Sequence, residues 1–542
     1  MSEKTLQGKS MKKFWRIGEP WVWVTGAALS TTLLICATLI IVVMVNGLGV
    51  FWPSQVVSLQ LTDGRQVAGE IVKREATALG DGERIQLKVG NRDLYGMDFR
   101  WIDLDQVAEM KNPSDLVVLE RQEYGNFYGY LSSIEAPGIE KPKEIGQVDY
   151  FRLVRENMSD QLEEVDEIAE RISTISGRLN QTRLEMRKLE YQGVGPENPE
   201  YMDLTRRQMV LREDFEELVE KQRRVIAAMN RFQATFADVS GREKTMPLVE
   251  IVRLYQPNDM SIGSKILFYM SKIKELLVED PRESNTEGGL FPAIFGTVML
   301  VFVMSLFSFP LGVVAAIYLR EYAKDGVVVR LVRIAVNNLA GIPSIVYGIF
   351  GLGFFVYGIG GAIDQLFFPE RLPTPTFGTG GILWASLTLA LLTVPVVIVA
   401  TDEALGAIPA GVRDGSLALG ATKFQTLVRI LIPLASPGIM TGLILAMARA
   451  AGEVAPLMIT GVVKLAPSLP LDGDFPFLHL DRKFMHLGFH IYDIGFQSPN
   501  VEAAKPMVFV TTLLLVLIVL VMSSFAIYLR NKMKKRYTYS AF

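Results

Sequence analysis

Long apolar runs limit what this chain can fold into more than any other feature. Residues 21–51, 290–318, 334–357, 381–400, 437–462 and 507–529 each approach or exceed the ~20 apolar residues a helix needs to cross a bilayer core. In hydrocarbon every backbone N–H and C=O must find its partner within the protein, so runs of this length resolve as helices. Six spanning helices are expected. They bracket residues 55–285, whose mixed charge is that of a water-exposed domain, and this explains how a chain with 21% charged residues is still 49% hydrophobic. The net charge of −3 averages two unlike populations and points to no partner.

The first run follows Lys12, Lys13 and Arg16, as the apolar part of a signal peptide would. It exceeds the roughly 7–15 residues of such a segment and lacks a small-residue cleavage site, so it is expected to remain as a helix. The single cysteine, Cys36, lies inside it, which excludes an intrachain disulfide. Arg320, Lys324, Arg330 and Arg333 fall between the second and third runs, and Arg413, Lys423 and Arg429 between the fourth and fifth. By the positive-inside rule these connections, residues 1–20 and the basic tail 531–542 face the cytoplasm, while 55–285 faces outward.

Within that insertion, residues 56–125 alternate in the manner of strands, with Asp63-Gly64 as a hairpin turn. Residues 150–237 change period. Leu204, Leu211, Phe215, Leu218, Val225, Met229, Phe232 and Phe236 hold a heptad register, and the breakers at 193–201 predict an antiparallel coiled-coil hairpin. Joined only at the ends of two spans, the insertion is expected to fold as a separate unit. Its basic residues are interleaved with acidic ones, unlike a nucleic-acid footprint. No cluster of metal ligands or nucleophile arrangement stands out; His479, His486 and His490 lack a third ligand at clear spacing.

Arg449 and Glu453 lie inside the fifth run, four residues apart. A charge near mid-bilayer costs at least ~2.5 kcal/mol and marks a substrate path or a pinned pair. Reading Ser436-Pro437 as the helix start puts both on one face near the midplane, with Gly452 and Pro456 as sites for a kink. A guanidinium fork suits the oxygens of an oxyanion.

Residues 403–436 are too polar to span. They resemble the EAA loop of ABC-importer permeases: Asp414, Gly415 and Ser416 stand for Glu-Ala-Ala, Gly420 follows after three residues, and Ile430 to Pro433 closes the motif after nine more. The "LAGIPSIVYGIFGLGFF" and "ARAAGEVAPL" stretches are similar to phosphate ABC transporter permeases of the PstA type. That resemblance covers Leu290 to roughly Leu529 and implies an all-α, MetI-like permease of the bacterial inner membrane with six transmembrane helices, the second to sixth lying in a core at 286–530. It also implies a second, PstC-like permease, a PstB-like ATPase dimer holding ATP and Mg, and a periplasmic PstS-like phosphate-binding protein. Arg449 and Glu453 would then serve the substrate path, and Asp414, Gly415, Ser416, Gly420, Ile430 and Pro433 the ATPase. The chain itself is expected to bind no cofactor or metal and to be no enzyme: "GSLALGAT" starts like a P-loop, but Ala421 occupies the lysine position. Another oxyanion such as phosphonate, sulfate or molybdate, or a membrane sensor with a periplasmic coiled coil, is the alternative. The resemblance stops short of the insertion.

Overall fold

The computed structural model describes residues 18–76, 82–473, 477–498 and 500–538. The readings made on Lys12, Lys13, Arg16 and the last four residues of the tail lie outside these.

Among the described residues six helices are long and apolar enough to cross a membrane: Trp21–Gly49, Phe291–Tyr322, Ser344–Phe367, Ile382–Gly406, Lys423–Gly452 and Val501–Lys535. The second, fourth and fifth build the centre, through Leu300, Val301 and Met304, Ala385 and Leu389, and Ala450 and Ala451. The first touches the bundle at the sixth, where Gly47 meets Phe509 and Leu513. Close approach between the third and fourth depends on Gly351, where an added Cβ would sit 2.1 Å from Thr388 Oγ1.

The third and fifth spans depart furthest from their expected starts, and the sixth extends six residues beyond 507–529 at each end. The third begins at Ser344, not 334, because Val327–Leu339 is a separate amphipathic helix. Pro343 lacks an N–H and pushes its predecessor out of the helical region; Tyr347 Oη bridges the break by donating to the Leu339 carbonyl (2.7 Å). The fifth does not begin at Ser436-Pro437, since its helix is continuous from Lys423 through a widened turn, Leu427–Leu431, and Pro437 lies inside it. Proline removes the bond that residue 437 would give to the Pro433 carbonyl. The Ser436 hydroxyl donates to that oxygen instead (2.8 Å), so the helix survives.

The insertion holds two antiparallel five-stranded sheets. The first, in order β4-β3-β2-β1-β5, comprises β1 (Val56–Leu61), β2 (Gln66–Ala76), β3 (Glu83–Lys88), β4 (Phe99–Asp103) and β5 (Val107–Lys111). Leu59, Ile85, Leu87 and Ile102 fill its core. The second runs β10-β6-β7-β8-β9, from β6 (Val117–Arg121), β7 (Phe127–Glu135), β8 (Gln233–Ala237), β9 (Glu243–Pro247) and β10 (Ile251–Tyr255). Between β7 and β8 the helical hairpin protrudes as two long arms, Ser159–Tyr191 and Pro199–Met229. Asn198 caps the second arm with Pro199 following, and Lys221 of one arm pairs with Glu164 of the other at 2.6 Å.

The β-rich part therefore reaches Tyr255 instead of ending at 125, and the hairpin is shorter than 150–237. Phe232 lies beyond the last helical turn and Phe236 on β8. Their spacing of four continues the helical period by coincidence, whereas Ala234 and Phe236 are both buried at the strand period of two. Nor is the insertion tied to the spans only at its ends. Asn500 donates to Asp98, within the insertion (2.5 Å), and at the insertion's end Asn285 donates to the Lys464 carbonyl (2.8 Å), so the connection between the fifth and sixth spans folds back against it.

Candidate functional site

The helix of the fifth span, Ile432–Gly452, stops where Gly452 precedes an extended Glu453 (φ −81°, ψ 134°), and a short helix, Ala455–Thr460, resumes after Val454. Glycine and Pro456 supply the break: one weakens the helix and the other starts the next turn. Glu453 is thus off the helix, and the shared helical face expected for it with Arg449 is absent. The two still meet, Arg449 Nε lying 3.6 Å from Glu453 Oε1 with side chains 32% and 20% exposed. Ala446, Ala450 and Ala451 take the packed face of this helix, leaving Arg449 off the core. Among the described residues Arg449 has this one ion pair and no hydrogen bond, so a fork of five donors stays available to an anion.

At the other end of the same span, the loop residues come together as a helix–turn–helix. Ala410–Ala418 forms the first helix, Gly420 turns the chain at φ +86°, and Thr422 and Gln425 form a reciprocal capping box that starts Lys423–Thr426. Space does not demand the glycine, since an added Cβ would meet nothing within 4 Å. The left-handed backbone does. Ser416 Oγ and Thr426 Oγ1 share a buried hydrogen bond (2.8 Å) across the turn. Asp414 and Gly415 are exposed, while Ile430 and Pro433 are half-buried where the second helix enters the bundle. Leu427, Leu431, Ala435 and Ile439 pack there against Leu405 and Ile408.

Three residues complete this unit: Arg413, read from the sequence only as a cytoplasmic charge, and Leu419 and Phe424, which sequence reasoning passed over. Arg413 donates to Glu321 at the end of the second span (2.8 Å) and to the Leu405 carbonyl (2.8 Å), clamping the knob to two spans. Leu419 and Phe424, 91% and 66% exposed, flank the turn. Two large apolar residues beside a conformationally required glycine were the available signal.

The histidines do not converge. His479 Nε2 pairs with Asp472 (2.9 Å). His486 Nδ1 accepts from the Gly488 N–H (3.1 Å), capping the short helix Leu487–Tyr492. His490 Nε2 lies 3.1 Å from the Asn285 carbonyl and Nδ1 3.2 Å from Thr511 Oγ1. Burial pushes the His486 imidazole down to about 3 and that of His490 to about 4.

Residues 308–535 match the profile of the binding-protein-dependent transport system inner membrane components. A probable phosphate transport system permease protein PstA of Methanocaldococcus jannaschii is 33% identical over 40% of this chain and 67% of its own length. A probable ABC transporter permease protein, YqgI, of Bacillus subtilis is 31% identical over 40% of this chain and 70% of its own. The phosphate transport system permease protein PstA 1 of Mycobacterium tuberculosis is 36% identical over 34% of this chain. In that case the chain spans 54% of the relative's length. The profile match runs from within the second span through the sixth and takes in the helix break and the helix–turn–helix, and with relatives above 30% identity matched over two thirds of their length the chain belongs to the family of binding-protein-dependent transport system inner membrane components, the permease subunits of ABC transporters.

Proposed function

We propose that this chain is the PstA-type translocation subunit of an ATP-driven importer of inorganic phosphate. A PstC-like permease, a PstB-like ATPase dimer carrying ATP and Mg, and a PstS-like binding protein on the insertion side would complete it. Both termini then face the cytoplasm. The observation that carries the reading is Arg449: a guanidinium with no hydrogen bond among the described residues, beside a broken helix, held near neutrality by Glu453. Phosphate oxygens would take the free donors, with Glu453 competing for the same charge so that the ion is passed on rather than trapped. The helix–turn–helix supplies coupling. A cleft closing on Leu419 and Phe424 would move a unit that Arg413 ties to the second and fourth spans. The span Lys423–Gly452 then runs from that unit to the break, about 45 Å at helical rise. The helical hairpin, projecting on the binding-protein side, is assigned to docking that protein.

The test is uptake into proteoliposomes containing the complete transporter, with labelled phosphate against sulfate, molybdate and phosphonate. Arg449→Lys keeps the charge but loses the fork; losing a charge-assisted hydrogen bond of ~1.5–3 kcal/mol lowers phosphate flux by about tenfold or more. Normal flux in both Arg449→Lys and Arg449→Gln would refute the substrate path. Equal uptake of another oxyanion would move the substrate assignment to it.

A further inference from the structure

The helix Ile262–Val278, which leads into the second span, is amphipathic the wrong way round for a helix in water. Ser261 caps its start. The inward face carries charge: Lys272 bonds Glu120 on β6 (2.6 Å) and Glu275 (3.1 Å), Glu275 pairs with Arg253 on β10 (3.2 Å), and Arg282 joins the same carboxylate. The outward face is apolar. Ile266, Leu267, Met270, Leu277 and Val278 recur at spacings that place them along one stripe, with Leu267 73% and Met270 54% exposed. A surface helix normally buries its apolar stripe and hydrates its charges. The inversion implies that the medium outside this stripe is not water.

Position identifies that medium. Tyr269 lies against Trp52, ring centroids 6.2 Å apart, just beyond the end of the first span at Gly49. The Leu276 carbonyl accepts from the Leu290 N–H (2.8 Å), immediately before the second span begins at Phe291. Tyr269 and Leu276 are two turns apart, about 10 Å along the axis. A helix pinned at two such points, each at the mouth of a span, runs along the membrane surface rather than away from it. Trp52 and Tyr269 are the residue types that settle in headgroups, and Lys274, the one charged residue exposed within the arc of the stripe, can carry its ammonium up to the headgroups along its own stem.

We infer that the apolar stripe of Ile262–Val278 lies in the outer leaflet, at the boundary of headgroups and acyl chains, continuous with the lipid-facing surfaces of the first and second spans. The ion cluster then fixes β6 and β10 to a helix seated in lipid, so the insertion, and the hairpin it carries, is held at a set height above the bilayer. This rests on the spans crossing a membrane, not on the identity of the substrate.

Nitroxide scanning of the full chain tests it. In a Cys36→Ser background, single substitutions Leu267→Cys and Met270→Cys place labels on the stripe, and Met209→Cys places one on the exposed hairpin as a water reference. The chain is reconstituted in nanodiscs of phosphatidylethanolamine and phosphatidylglycerol. Collision with oxygen at 267 and 270 is expected to exceed that at 209 several-fold, and collision with a water-soluble nickel chelate to be several-fold lower. Nickel collision equal to that at 209 would overturn the inference by placing the stripe in water. Labels shielded from both reagents would also overturn it, since a second copy of the chain would then be the cover. Should either variant fail to insert, Ile266→Cys on the same stripe gives the same reading.

Discussion

Replacing Gly420 isolates backbone conformation from every other contribution to the helix–turn–helix. Its φ of +86° is left-handed, and no heavy atom lies within 4 Å of an added Cβ, so a side chain there clashes with nothing but its own backbone. An L-residue in this region costs ~1–2 kcal/mol, a β-branched one falls toward the upper end of the ~1–3 kcal/mol range for strained positions, and asparagine is tolerated better than either. A penalty of 1–2 kcal/mol corresponds to roughly a 5–30-fold loss in the population of the turn. The turn is otherwise held by the Gly420 N–H to the Leu417 carbonyl (3.0 Å), the Ala421 N–H to the Ser416 carbonyl (3.2 Å) and the Ser416–Thr426 bond (2.8 Å). Binding-protein-driven uptake, measured beside co-purification of the ATPase, should therefore fall in the order Gly, Asn, Ala, Val, with membrane insertion unchanged. Wild-type uptake in Gly420→Val would refute the coupling role. Gly420→Asn as impaired as Gly420→Val would refute the conformational argument, because bulk, not φ, would then be the cause.

Gly351→Ala forces a methyl onto Thr388 and should cost ~1–3 kcal/mol by overpacking; thermal unfolding in detergent should show it, with recovery in the double variant carrying Thr388→Ala. Gly353→Ala, which meets open space, should leave the midpoint nearly unmoved, and an equal loss in both would remove the packing explanation. His486, held neutral by burial with a pKa of about 3, takes up a proton far more readily when unfolded. Stability is therefore full above about pH 6.5 and declines as pH falls from there toward 3. His486→Gln should flatten that decline, as measured by unfolding at pH 7.5 and 5, and an unchanged slope would acquit the histidine. Shortening the hairpin by joining the arms near Glu164 and Lys221, whose side chains already pair, should preserve assembly and maximal ATP turnover while weakening the response to loaded binding protein. Removal of 150–237 should instead unfold the insertion, since it takes β8 and the buried Tyr150, Phe151 and Val154 with it.

What could be read in advance follows from the range of the interactions. The spans were legible because hydropathy is local: the second and fourth begin within a residue of their apolar runs. The third was misplaced because Val327–Leu339 is apolar enough to extend the run, and only the break at Pro343 separates them. The fifth was misplaced because Ser436-Pro437 resembles a helix start, while the hydroxyl that rescues the helix acts on a carbonyl three residues back. The turn at Gly420 and the knob around it are also local, and their spacing was sufficient to find them. Arg449 was legible as a costly charge, but the departure of Glu453 from the helix depends on how Gly452, Val454 and Pro456 settle together. The second sheet was hidden altogether. β6 pairs with β10, and no local pattern announces a partner some 130 residues away.

That pairing sets a schedule for biosynthesis. Asn258 closes the first sheet by donating to the Val56 carbonyl (2.8 Å) and accepting from its N–H (3.0 Å), across 202 residues of chain. At roughly 5–20 residues per second of synthesis, β1 waits on the order of 10–40 s for this clasp. β1 gains β2 and β5 on its two sides early, but throughout that interval β6 keeps an edge open to the wrong neighbour until β10 arrives. The nascent insertion is thus a client for holding factors on the far side of the membrane. A ribosome stalled before residue 258 should leave it protease-sensitive, however completely the first span has been inserted.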